Sequence, residues 1–207
     1  MQEMQKEFYE LYNRFAKRAE EKNRRIREKV TDSKIGFYTK EFLSFLVSEC
    51  LMEDVETIYK MKRDGYSARY VDSVIRNMCE QVIECLYIMK HPDLLEEYFG
   101  GKIKAEWNGT NYFKGMKRTG KARFKKRPEV SKMAIDIGEM KSSKDKMSLY
   151  DIYSMKAEFE HNSYFNHWLD VLYSVNNGQE VAEEMDYVYM RYILAVFIQK
   201  YDEICVK

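Results

Sequence analysis

The sequence predicts an all-α protein, an antiparallel helical bundle of five to seven helices with one long basic loop at about residues 100–128. Apolar residues recur at helical spacing along most of the 207-residue chain. The chain holds only 2 prolines and 9 glycines, so few positions interrupt a helix. Most breaks between the helical patterns are short, which favours antiparallel neighbours in one domain, 1–207.

The first helix is predicted at residues 2–29. Its buried face is one apolar stripe at i, i+3, i+4 and i+7 spacing: Phe8, Leu11, Tyr12 and Phe15. After Ala19 the stripe stops, and residues 14–29 carry eight Lys or Arg against three Glu. The basic end of this helix, within residues 1–30, is therefore predicted to project into solvent.

Two further apolar patterns predict helices at 38–63 and 68–90. Gly65 follows the first of them, where glycine relieves the left-handed turn that ends a helix. Ser67 is placed to cap the helix at 68–90, the third in the chain, and Pro92 stops it after His91. This third helix has the most regular apolar spacing in the chain.

Shorter helical patterns follow in the second half of the chain. They lie at residues 93–99, 130–140, 147–162 and 163–174, and the last helix is predicted at 179–204. Gly178 ends the turn before the last helix. With the three helices before them, these patterns complete the predicted bundle.

The loop at 100–128 differs in composition from the rest of the chain. Ten Lys or Arg lie between Lys102 and Arg127 against one acid, Glu106, and four aromatic residues interrupt them. Basic side chains neutralise phosphates, and aromatic rings stack on unpaired bases. The predicted nucleic-acid contacts are Lys117, Arg118, Lys121, Arg123, Lys125, Lys126 and Arg127. The alternatives are a solvated loop and a loop that binds an acidic protein partner.

The third helix carries a line of charged residues. Arg76, Glu80 and Glu84 stand at successive i+4 spacings, away from the main apolar stripe. One interpretation is a solvated face with a weak ion pair. The other is that a neighbouring helix covers this face, which would make the Arg–Glu pair a buried network or a site.

One histidine stands near a carboxylate on the helix predicted at 147–162. Glu158 precedes His161 by three residues on the same face, and a carboxylate there orients the ring and raises its pKa. With Arg76 across the bundle, His161 would suit phosphodiester cleavage, Arg76 for charge and His161 for proton transfer. The alternative is a core histidine bonded to Tyr150 or Tyr153.

Several other classes of protein lack support in the sequence. The four cysteines (Cys50, Cys79, Cys85 and Cys205) are expected to be small buried hydrophobes in a reducing cytosol, and no zinc or other metal site is predicted. No phosphate-binding glycine motif is present, so no cofactor is expected. The N-terminus does not have the pattern of a signal peptide, and no apolar run is long enough for a membrane span. The expected location is the cytoplasm.

The stretch DGYSARYVDSVIRNMCEQVIECLYIMKHPDLLEEYF resembles the core of a bacterial all-helical family of unknown function. Members pair an Arg-x-x-x-Glu helix, here Arg76 to Glu80, with a later Tyr…His helix, here SLYDIYSMKAEFEHNSYF with His161 in the matching place. The resemblance covers roughly residues 37–100 and 147–204.

That family is similar in turn to the HEPN-like helical domains of toxin–antitoxin modules, phage defence and CRISPR-associated ribonucleases. Ribonuclease members carry an Arg, a polar residue and a His six positions along one helix. Arg76 and Asn77 begin that pattern, but Gln81 and Val82 follow and no histidine closes it. The resemblance therefore implies a HEPN-like scaffold, often dimeric, so a homodimer is expected.

Together these features predict a HEPN-like protein that binds RNA or single-stranded nucleic acid in a bacterial defence or toxin-like setting. If it cleaves, it is a metal-independent ribonuclease in which Arg76 and His161 act and Glu80 or Glu158 orients them. The alternative is a non-catalytic interaction module. In that case an aromatic helical face mediates dimerisation or docking (Tyr187, Tyr189 and Tyr192), and the basic loop binds an acidic partner.

Overall fold

The computed structural model describes residues 3–31, 39–99, 127–140, 147–161 and 178–205, and it confirms the all-α prediction. No strand occurs within these ranges. The α-helices are α1 (Glu3–Thr31), α2 (Lys40–Arg63), α3 (Ala68–Lys90), α4 (Val130–Ile137), α5 (Leu149–His161) and α6 (Gly178–Cys205). A 3-10 turn at Pro92–Leu94 follows α3 and continues as helical residues 95–99. The helix predicted at 163–174 lies outside the described residues.

Helix α3 is the centre of the bundle and packs against α2, α4, α5 and α6. Its buried residues cover more than half of the helix circumference: Val71, Ile75, Met78, Cys79, Val82, Ile83, Cys85, Leu86, Ile88 and Met89. A helix that is apolar over so much of its circumference has to be surrounded. One narrow strip remains for polar residues, and that strip forms the candidate site.

Consecutive long helices of the bundle (α1, α2, α3, α5 and α6) run antiparallel, as predicted. The first and the last of them, α1 and α6, pack against each other in parallel. Arg76 on α3 lies over Tyr153 on α5, while Asp72, earlier on α3, contacts Lys156, later on α5. On α1 and α6, by contrast, Phe15 contacts Phe197, and Arg18 pairs with Asp202 further along both helices. Among the five long helices the first and last point the same way, because five is an odd number.

The prediction that the basic end of α1 projects into solvent is wrong as far as residue 27. Asn23 is 1% exposed and Ile26 is 7% exposed. Asn23 donates to Ser48 Oγ at 2.9 Å and accepts from Tyr201 Oη at 3.1 Å. The buried stripe therefore continues through Asn23, which looks polar in the sequence but is fully engaged between α2 and α6. The basic residues beside it pair with acids on those helices (Arg18 and Lys22 with Asp202, Arg27 with Glu49).

The helix ends are partly those predicted. Thr39 caps α2 by accepting from the Phe42 N–H at 3.2 Å. Gly65 has a φ of +71°, the left-handed conformation expected after α2. Ser67 occupies the N-cap position of α3 as predicted, but its side chain makes no capping hydrogen bond.

The structure also bears on the cysteines and on the membrane. Cys79 and Cys85 are buried as predicted, and burial raises the pKa of both thiols. Cys50 is exposed, contrary to the prediction, because it lies on the outer side of α2. Within the described ranges, no helix combines the length and the apolar character that a membrane crossing requires.

Candidate functional site

The polar residues of α3 line up along one side of the helix and form its outer strip: Ser73, Arg76, Asn77, Glu80 and Glu84. The side chains of Arg76, Glu80 and Glu84 are 27%, 28% and 16% exposed. These fractions are too low for a freely solvated face. The strip is half-covered because α2 flanks α3 on one side and α5 on the other.

Arg76 is held from two directions. Its guanidinium carbon lies 5.3 Å from the centre of the Tyr153 ring on α5, within the range of a cation–π contact. Its Nη2 atom lies 3.9 Å from Glu80 Oε2, which is an ion pair but too long for a hydrogen bond. The structure therefore brings Arg76 and Glu80 together, as the i+4 spacing predicts.

Arg127, which follows the basic segment (residues 100–126), lies on the same strip. Its Nη2 donates to Glu80 Oε1 at 2.7 Å, and its Nε donates to Glu84 Oε1 at 3.0 Å. Burial disfavours the charged form of Arg127, but Glu84 and Glu80 outweigh that effect and raise its pKa. Arg127 was predicted to contact nucleic acid, and the structure instead commits it to two carboxylates of its own chain.

We expect Arg127→Met to lower the free energy of unfolding by about 1–2 kcal/mol, because it removes two charge-assisted hydrogen bonds at a half-buried position. Urea denaturation measures this loss. Arg63→Met is the matched control, since Arg63 is exposed and, within the described part of the chain, forms its ion pair with its neighbour Asp64; it should change little. Equal effects of the two substitutions would contradict the anchoring role of Arg127.

A cleft of about 340 Å³ opens between the outer strip and α2. Its lining residues are Asp54, Ser73, Val74, Arg76, Asn77 and Glu80. Asp54 Oδ2 accepts a hydrogen bond from Gln81 Nε2 at 3.1 Å, which orients the carboxyl group. The cleft therefore presents carboxylate acceptors and guanidinium and amide donors within one small volume.

The pKa of the Asp54 carboxyl group is higher than that of an ordinary aspartate. Burial raises the pKa of Asp54 to about 6; the hydrogen bond from Gln81 opposes the rise and the nearby Glu53 adds to it. Sequence analysis did not single out Asp54, because an acid on a charged helix resembles any solvated acid. The signal that could have identified Asp54 is Gln81, a polar residue next to Glu80 on α3 whose amide group faces α2.

The structure places Glu158 and His161 away from the level of Arg76. Glu158 is exposed. The antiparallel register sets Tyr153 beside Arg76 and Lys156 beside Asp72, so the backbone of His161 lies about 12 Å further along the helix axis than Tyr153. The side chain of His161 is outside the described part of the chain. The backbone register thus does not set His161 opposite Arg76.

The remaining predicted contacts fall into two groups. Lys117, Arg118, Lys121, Arg123, Lys125 and Lys126 lie outside the described residues. The tyrosines of the alternative docking face are engaged within the chain: Tyr187 is 8% exposed, Tyr189 contacts Met155, and Tyr192 donates to Glu139 Oε2 at 3.0 Å. The buried state of Tyr187 contradicts its prediction as a docking residue.

A buried ionic cluster that sequence analysis missed lies beside the strip. Lys156 on α5 is 5% exposed and contacts Asp72 on α3 and Asp186 on α6, and Lys62 on α2 also bonds Asp186, at 2.8 Å. Burial disfavours the charged form of Lys156, but Asp186 and Asp72 outweigh it and its pKa is raised. The cluster ties four helices together and so fixes α5 against the strip.

Comparison with protein-family models, with curated proteins and with solved structures finds no match to this chain.

Proposed function

We propose that this protein binds RNA or single-stranded nucleic acid through its basic segment, residues 100–126. The observation that carries the proposal is a separation of charge. The chain has 35 Lys or Arg and 34 Asp or Glu. The segment holds 9 of the basic residues and 1 of the acidic residues, so 26 basic and 33 acidic residues lie elsewhere. A concentrated positive charge on an otherwise acidic protein favours a polyanionic partner.

The attachment points of the segment support the proposal. On one side, Phe99 is buried and packs on Phe42 of α2, with 5.6 Å between the ring centres. On the other side, Arg127 is fixed to Glu80 and Glu84. Both ends of the segment are therefore anchored to the bundle, which lowers the entropy lost when the segment binds.

The composition of the segment favours unpaired nucleic acid over duplex DNA. Four aromatic residues are interspersed with its basic residues: Trp107, Tyr112, Phe113 and Phe124. Stacking of an unpaired base on an aromatic ring contributes roughly 1–3 kcal/mol per base. A duplex does not offer its base faces in this way. The resemblance to HEPN-like domains is a second reason to prefer RNA, and it suggests a bacterial defence or toxin-like setting.

The test is binding of a fluorescent 20-nucleotide single-stranded RNA at several salt concentrations. We expect tight binding at low salt that weakens steeply as salt rises, because each phosphate contact releases counterions. Replacing Lys117, Arg118, Lys121, Arg123, Lys125 and Lys126 by glutamine should reduce the slope of log K against log salt by about 4 if all six contact phosphates. Arg127 stays in place, because its loss would weaken the fold.

A matched control replaces six basic residues elsewhere by glutamine and should leave binding unchanged; suitable positions are Lys6, Arg14, Lys17, Lys40, Lys60 and Lys200. Absence of binding at low salt, or equal binding by both variants, would overturn the proposal. In the first case an acidic protein partner becomes the better candidate.

The same incubations test for cleavage when the RNA is examined on a denaturing gel without added metal. Shortened RNA that forms with the wild-type protein, but with neither Arg76→Ala nor His161→Ala, would support the ribonuclease hypothesis. Binding without cleavage fits the register of α3 and α5, which does not bring those two residues to one level.

A further inference from the structure

The cleft beside the outer strip has the size and the lining of a site for a small polar group. Its volume of about 340 Å³ is at the low end of ligand pockets and fits a nucleobase or nucleoside. It is lined by residues from two helices, α2 and α3, whose positions are fixed by core packing. A site on rigid helices holds its hydrogen-bonding groups at set positions.

The chemistry of the cleft is mixed. Asp54 and Glu80 supply carboxylate acceptors, and Arg76 and Asn77 supply donors. Two carboxylates disfavour a simple anion such as inorganic phosphate. The positive charge of Arg76, held at the wall by Tyr153 and Glu80, disfavours a metal cation. The lining therefore suits a neutral ligand with both donors and acceptors.

Guanine has the complementary pattern. Its N1–H and N2–H groups form a donor edge that a carboxylate accepts, and its O6 and N7 atoms form an adjoining acceptor edge. Arginine paired with O6 and N7 is the commonest specific contact to guanine in nucleic-acid complexes. Adenine, cytosine and uracil each lack two adjacent donors, so none of them satisfies Asp54 as fully.

We propose that this cleft binds one unpaired guanine of the bound strand, with the Asp54 carboxylate accepting from the N1–H and N2–H edge and Arg76 and Asn77 donating to O6 and N7. This inference rests on the proposed function, because the basic segment supplies the general affinity for the strand and the cleft supplies a preference for one base. With a pKa of about 6, the Asp54 carboxyl group is mainly ionised at neutral pH, the state that accepts from both guanine donors.

The test compares a 20-nucleotide oligouridine with the same oligomer carrying one central guanosine, by fluorescence anisotropy at neutral pH. We expect the single guanosine to tighten binding about tenfold, as one bidentate base contact does. Inosine in its place, which lacks the N2 amino group, should lose most of the gain. Asp54→Asn should abolish the preference, and Glu56→Gln, an exposed acid on the same helix, should retain it.

The outcomes separate this inference from the proposed function. If both oligomers bind equally to the wild-type protein, or if the preference survives Asp54→Asn, the guanine site is wrong and general binding stands. If neither oligomer binds, the basic segment has failed, and the neutral nucleoside guanosine then tests the cleft by ligand-detected NMR. Saturation transfer to its base in wild type but not in Asp54→Asn supports the cleft, and no transfer in wild type rejects it.

Discussion

Asp54→Asn is expected to stabilise the protein at neutral pH by about 1–2 kcal/mol, although it removes a group from the candidate site. Burial makes the ionised carboxyl group of Asp54 costly and raises its pKa from 3.8 to about 6. An amide has the same shape and carries no charge. Its NH₂ group can also donate to Gln81 Oε1, which is buried and has no hydrogen-bond partner among the described residues.

The gain should depend on pH in a defined direction. Below pH 3.8 the carboxyl group is protonated in both the folded and the unfolded chain, so the substitution changes little. Between that pH and about 6 the folded state retains a proton that the unfolded state releases, so wild-type stability falls as pH rises. Above pH 6 the full cost applies and the advantage of the amide is complete.

Urea denaturation of wild type and Asp54→Asn at pH 4 and pH 7 measures both effects, with Glu56→Gln as the control because Glu56 is exposed on the same helix. A variant that is less stable than wild type at pH 7, or equally stabilised at both pH values, would contradict this account. Confirmation would mean that the chain keeps a destabilising carboxylate in its cleft, as functional sites commonly do.

The fold was largely predictable, because helical periodicity reports directly which residues must be buried. The predicted helix at 68–90 matches α3 (Ala68–Lys90) almost to the residue, since its apolar spacing is unbroken and Pro92 stops it. The burial of the C-terminal part of α1 was not predictable from periodicity. Asn23 continues the buried stripe, but its burial is favourable because Ser48, Glu49 and Tyr201 on other helices form hydrogen bonds with its amide group.

The candidate site was predictable only in part, for a related reason. The i+4 line of Arg76, Glu80 and Glu84 lies on one helix, so sequence spacing alone places these residues together. Asp54 joins them from α2, and Arg127 joins them after the 27 residues of the basic segment. Contacts between distant segments depend on the packing of the bundle, which spacing along one helix does not encode.

The second large effect is expected from Lys156→Met, which should lower the free energy of unfolding by about 3–5 kcal/mol. The Lys156 ammonium lies between Asp72 and Asp186, and the side chains of these three residues are 7%, 13% and 11% exposed. Removing the cation leaves both carboxylates in a region of low dielectric without their shared partner. A loss of this size is a large part of the ~5–15 kcal/mol that stabilises a typical domain.

The matched control is Lys132→Met, because Lys132 is exposed and pairs with Glu129 one turn earlier; it should change stability little. If Lys156→Met is too unstable to purify, Lys156→Met combined with Asp72→Asn tests the same idea. The double variant also removes the negative charge of Asp72, while Lys62 still pairs with Asp186, so it should recover part of the lost stability. A Lys156→Met variant as stable as Lys132→Met, or a double variant less stable than Lys156→Met alone, would show that packing rather than charge holds α5 against the outer strip.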